Sequence, residues 1–260
     1  MTYLDLVISG AYYGLTLVWP VSAEPLIARL ALWANDPTFG PLLKSISGAG
    51  VGLTLILILR HEIFGMLRGG LWAAKRRQEG SARLLFAVVL GAAPLVLLDF
   101  FPAKLPLATS WLGAGLLLMS GIAVLIADKL GVTVRQLDHI SVPSFLGIGL
   151  AQAIGSAIGV APQIVTVILA RLMGCERDQA ARMSLLLLIP HLILGLGEFT
   201  HQVRPLPQID MIAIIIISVL TTALSANFLL GWLRRKGFEI FALAQIIIGI
   251  VTGLSVARFG

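Results

Sequence analysis

The residues able to do chemistry are few, and most stand alone among apolar neighbours. Glu24 lies between Pro20 and Pro25 in an otherwise apolar region. There it can act as a general base or as a hard oxygen ligand to a divalent ion. It can equally face water, or pair with Arg29 about one helical turn away. Arg29 and Arg171 each follow a proline by nine residues, Pro20 and Pro162 respectively. A guanidinium fork suits a phosphate, though such side chains also anchor helix ends by snorkelling. Ser22, Gln152 and Thr166 are neutral groups that can bond a ligand or the backbone freed at a chain break. His191 and Glu198, seven residues apart, share a helix face as a possible proton relay. They lack a third metal ligand, and His191 after Pro190 suits a helix-to-helix hydrogen bond equally well. Tyr12 and Tyr13 fit a cavity wall or an interface. The ligand-binding candidates are therefore Ser22, Arg29, Gln152, Thr166 and Arg171. Glu24 is the single catalytic candidate, and no metal set is expected.

Composition decides what kind of element must carry these groups. Of 260 residues, 58% are hydrophobic and 12% charged, against about a quarter charged in ordinary soluble domains. The mean hydropathy of +0.96 agrees. No polar stretch is long enough for a soluble domain, so a single integral membrane domain is expected over residues 1–260. The lone cysteine, Cys175, excludes an internal disulfide and any multi-cysteine metal site. It suits a small apolar packing role. A net charge of +6 would suggest nucleic acid in a soluble protein. Here the basic residues sit between apolar segments, so they set topology and meet anionic lipid headgroups instead. No phosphate-cradling loop, zinc signature, nucleotide fingerprint or nucleic-acid motif occurs, and no cleavable leader is expected at Met1–Leu6.

Uncharged stretches mark the elements. About 20 helical residues cross a bilayer core, and six stretches fit single crossings: 45–59, 84–98, 105–127, 183–197, 211–233 and 240–257. Residues 139–170 do not fit. Their 32 uncharged residues are too many for one span and too few for two. Their centre, Gly155 to Pro162, is rich in helix breakers. Two half-length helices meeting in mid-membrane satisfy both facts, and residues 6–33, broken between Gly14 and Pro25, read the same way. The basic clusters at 60–83 and 234–236 belong inside, which leaves both termini outside and the two re-entrant pairs entering from opposite faces. The expected fold is all-α and polytopic, with six transmembrane helices and two oppositely oriented re-entrant helix pairs. Its inverted halves are 1–127 and 128–260. Interrupted segments in such folds mark a central binding site.

Specific residues then become familiar. Gly14-Leu15-Thr16 followed by Pro20-Val21-Ser22 resembles the first motif of the undecaprenyl-pyrophosphate phosphatase (BacA/UppP) family, roughly E-G-L-T-E-F-L-P-V-S-S-T-G-H. Gly91, Pro94, Gly113, Leu116 to Leu118, Gln152, Gly159, Thr166, Leu172-Met173-Gly174, Arg177, Ala180, Ser184 and Pro190 continue the resemblance in order along the chain. It implies the same six spans and two re-entrant pairs, a bacterial inner-membrane location, and a cavity for a polyprenyl phosphate lipid.

The reactive positions differ. Tyr13 and Leu17 stand where the family has its two motif-one glutamates, and Leu26 where it has a histidine. Its second motif, roughly P-G-x-S-R-S-x-x-T, reads Ile158 to Thr166, with Ala161 and Gln163 for the serines and Pro162 for the arginine. A later Tyr-Arg pair is Ala244-Gln245. Phosphoryl transfer is positioning and charge stabilisation, so losing these groups removes most of the machinery. The resemblance thus implies a protein that binds or translocates a polyprenyl phosphate-type lipid, such as undecaprenyl phosphate or pyrophosphate, without a cofactor. One alternative is an active undecaprenyl-diphosphatase with a site rebuilt around Glu24 and Mg²⁺ or Ca²⁺. Another is a structural partner for other membrane proteins.

Overall fold

The computed structural model describes residues 3–22, 39–71, 79–100, 110–131, 140–194 and 208–259. Among them are ten helices and no strands. In chain order these are α1 (Tyr3–Thr16), α2 (Phe39–Ile58), α3 (Arg60–Leu71), α4 (Glu79–Asp99) and α5 (Trp111–Leu130). The rest are α6 (Val142–Ala157), α7 (Pro162–Leu172), α8 (Arg177–Leu194), α9 (Gln208–Leu233) and α10 (Glu239–Phe259). In apolar surroundings a backbone must satisfy its own polar groups, which a helix does within each segment.

Helix ends follow local chemistry. Ser110 caps α5 by accepting the Gly113 N–H at 3.1 Å. Ser141 caps α6 through the Ser144 N–H, with Pro143 in the first turn. The chain turns between α6 and α7 at Gly159, whose φ of +83° favours glycine. Pro162 then restarts the helix. The interruption expected between Gly155 and Pro162 is where the helices break.

α8 is the centre of the bundle. Its Ala180, Ala181, Met183 and Leu185 to Leu188 are all buried, because α8 packs on α2, α4, α7 and α9. A stretch as apolar as Leu185–Ile189 belongs in such a position. The outer helices show the reverse: Met119, Leu220, Leu224, Leu243 and Leu254 are exposed. That much outward apolar surface suits lipid rather than water. Among the described residues three helices are long and apolar enough to cross a membrane, α5, α9 and α10, or four if the bent pair α2–α3 is one span. That pair bends by 69° near Leu59.

The packing has a pattern. α1 lies on α9 as α6 lies on α4, α2 lies on α9 as α8 lies on α4, and the pairs α2–α8 and α5–α10 each pack together. Exchanging α1 with α6, α2 with α8, α4 with α9 and α5 with α10 returns these same pairs. Several crossings are tight enough to demand glycine. A methyl on Gly149 would overlap the Gly91 carbonyl, where α4 and α6 meet. One on Gly121 would lie 3.0 Å from the Ala242 carbonyl, where α5 meets α10.

Candidate functional site

The two chain breaks meet. After α1 the chain runs through a turn to Ser22, and Ser22 is 1% exposed. Its hydroxyl accepts the Ala161 N–H at 2.9 Å, so a residue of the first break caps the start of α7 beyond the second. Gln163, one residue into α7, donates its amide to the Leu17 carbonyl at 2.7 Å. These two bonds span 139 and 146 residues of sequence.

Gln245 of α10 locks the junction from the side. Its Oε1 accepts the Ser22 N–H at 2.8 Å. Its Nε2 donates to the Ser22 hydroxyl at 3.3 Å and to the Ser120 hydroxyl of α5 at 3.0 Å. Three residues further along α7, the Thr166 hydroxyl donates to the Pro162 carbonyl and accepts from the Gln152 amide of α6. Gln152, Gln163, Thr166 and Gln245 are each at most 2% exposed. Trp19, within the first break, packs its ring on Phe228 and Phe241 of α9 and α10.

Among the described residues this junction is neutral. Every described side chain that hydrogen-bonds across it is an amide or a hydroxyl, able to orient a polar ligand but unable to neutralise a pyrophosphate or abstract a proton from water. Its described side chains do not fit a divalent ion, which takes carboxylates as its usual protein ligands. No group of three or more His, Cys, Asp or Glu that could hold a metal occurs among the described residues.

The structure gathers three of the sequence candidates, Ser22, Gln152 and Thr166, around the breaks. Glu24 and Arg29 lie outside the described residues, as does Glu198. Arg171 is elsewhere, nine residues beyond Pro162 and so about 14 Å along α7. It is 1% exposed and does not snorkel. Its guanidinium donates to the carbonyls of Cys175, Asp128 and Gly131, and it pairs with the Asp128 carboxylate at 3.2 Å. Asp128 also holds Arg177 at 2.8 Å and accepts the Phe238 N–H at 3.1 Å. The ends of α5 and α7 and the starts of α8 and α10 are thereby tied together, with the whole Arg171 fork turned inward. Sequence reading alone gave Gln163 and Gln245 only as substitutions and passed over Ser120 and Asp128. The one available signal was a polar residue at the edge of, or inside, an uncharged stretch.

Fold and junction together define a class: a multi-pass helical membrane protein with a buried polar junction where the chain beyond α1 meets the start of α7. Within that class the chain belongs to one family. A model described as Bacitracin resistance protein BacA matches residues 6–251. The chain is 31% identical to a Paramagnetospirillum magneticum protein named Undecaprenyl-diphosphatase 1, covering 100% of this chain and 99% of that one. It is 30% identical to a Rhodospirillum rubrum protein of the same name, over 96% of this chain and 93% of the relative. A protein of an Anaeromyxobacter species named Undecaprenyl-diphosphatase is 27% identical, over 98% and 88%.

Proposed function

We propose that this chain binds a polyprenyl phosphate-type lipid, or moves it between leaflets, without hydrolysing undecaprenyl pyrophosphate. The observation that carries the reading is the neutrality of the described side chains at the break junction. Where phosphoryl transfer needs converging cations and a base, Ser22, Ser120, Gln163 and Gln245 bond mainly to one another and to the backbone. Such a junction keeps the scaffold of a lipid site, and its described side chains include none of the groups that break a phosphoanhydride.

The names of the relatives favour a second reading, an active undecaprenyl-diphosphatase with a site rebuilt around Glu24 and a divalent ion. Purified protein given undecaprenyl pyrophosphate with Mg²⁺ or Ca²⁺ discriminates between them. The expected result is phosphate release no greater than a lipid-only blank. Turnover that vanishes in Glu24→Gln establishes the second reading. Lipid mass spectrometry of the purified protein tests a purely structural role, for which no polyprenyl lipid co-purifies.

The arrangement proposed around this site has six spans and two re-entrant pairs, in inverted halves 1–127 and 128–260. Support comes from the helix pairings that survive exchange of α1, α2, α4 and α5 with α6, α8, α9 and α10. The proposed location is a bacterial inner membrane with both termini outside, supported by the basic residues at 60–83 and 234–236.

A further inference from the structure

The amide orientations at the junction restrict which head group it can take. Gln163 points its Nε2 at the Leu17 carbonyl. A carbonyl only accepts, so the amide cannot be turned round, and the atom left over is the acceptor Oε1. That atom is buried and has no partner among the described residues. Gln152 is in the same position. The Thr166 hydroxyl spends its single proton on the Pro162 carbonyl, so it can only accept from Gln152, whose Oε1 is then buried without a partner. Gln163 and Thr166 are three residues apart and share a face of α7. The two buried acceptors come one from each of the helices that flank the break, Gln152 from α6 and Gln163 from α7. Buried polar atoms are rarely left unsatisfied, and such exceptions call for an explanation.

Building on the lipid-binding reading above, we infer that Gln163 and Gln152 make this a site for a head group that presents an O–H donor. A fully ionised pyrophosphate offers only acceptor oxygens and meets these carbonyl oxygens with like partial charge. A hydroxyl or a protonated phosphate monoester offers the missing hydrogen. The shared chemistry is the O–H group, whether it belongs to a polyprenol or to the P–OH of a polyprenyl monophosphate. Gln163 is thus a specificity-determining residue, standing at a position where the family resemblance calls for serine.

The test is competitive binding to the full-length protein in detergent. Four probes share one chain: geranylgeranyl monophosphate, geranylgeranyl pyrophosphate, geranylgeraniol and its methyl ether. The ether keeps the oxygen and loses only the donor. A neutral hydrogen bond has a net worth equivalent to about two- to twelvefold in affinity. The alcohol is expected to bind better than its ether by that factor, and the pyrophosphate no better than the monophosphate. Whichever of monophosphate and alcohol binds more tightly identifies the source of the donor. In Gln163→Met, which keeps side-chain length, the alcohol-to-ether ratio falls towards one while ether binding persists, which separates lost recognition from misfolding. Ether equal to alcohol, or pyrophosphate bound above monophosphate, overturns the donor rule and leaves lipid binding standing. Failure of all four probes to bind above empty micelles overturns both.

Discussion

Replacing Asp128 by alanine should be among the most damaging single changes in the protein, and the structure gives the reason. The carboxylate is 4% exposed and holds three partners: Arg171 at 3.2 Å, Arg177 at 2.8 Å and the Phe238 N–H at 3.1 Å. Removing it leaves the Arg171 guanidinium, 2% exposed, without a counter-charge. Breaking a buried pair from one side typically costs about 3–5 kcal/mol. The orphaned Phe238 N–H adds to this less than its separate value, because both losses act through the one carboxylate group. Three carbonyl acceptors stay on Arg171, so the lower half of that range is expected. Arg177 provides the internal comparison. Its side chain is 40% exposed, and removing an exposed partner costs about 0.2–1 kcal/mol. Trp232 makes the corner visible, since its indole donates to the Gly237 carbonyl at 3.1 Å, one residue before Phe238. Reversible unfolding in mixed micelles, followed by tryptophan emission, should rank Asp128→Ala far below Arg177→Ala. The double change Asp128→Asn with Arg171→Met should recover part of the loss, because no buried charge then remains unpaired. An Asp128→Ala protein within about 1 kcal/mol of wild type, or no less stable than Arg177→Ala, refutes the argument.

Three further outcomes are expected. Gly149→Ala should push α6 off α4 and cost about 1–3 kcal/mol, towards the top of that range because the obstruction is the Gly91 backbone; the same unfolding assay measures it. Gly159→Ala meets open space but must hold a φ of +83°, so about 1–2 kcal/mol is lost from backbone strain alone; Gly159→Asn should lose less. In a background lacking Cys175, single cysteines at Thr38 and Gln202 should label from outside and those at Gln78 and Thr133 from inside. Labelling of positions 38 and 78 from one side ends the inverted-halves scheme.

Sequence and structure agree most closely where the chain breaks. Gly159 and Pro162 inside an uncharged stretch have few uses other than ending one helix and starting another, so the gap between α6 and α7 was legible. Ser22, Gln152 and Thr166 were legible as polar groups at breaks, because a polar side chain in apolar surroundings must find a partner. The identity of the partner was not. Ser22 meets Gln245 across 223 residues, and no local pattern encodes a contact that only the assembled bundle creates. Arg171 shows the same limit from another side. An arginine at the end of an amphipathic helix looks, from its neighbours, like one reaching for headgroups or a phosphate. Only tertiary packing brings Asp128 against it.

The Asp128 tie also sets an order in time. Arg171 follows Asp128 by 43 residues and Phe238 follows it by 110. At about 5–20 residues per second of synthesis, the carboxylate exists for about 2–9 s before its main counter-ion and about 6–22 s before its backbone donor. For that interval α5 ends in an acid with neither of these partners, and a free carboxylate resists entering hydrocarbon. The α5 end must therefore wait at a wet boundary until α7 arrives. The corner closes only when the start of α10 has been made.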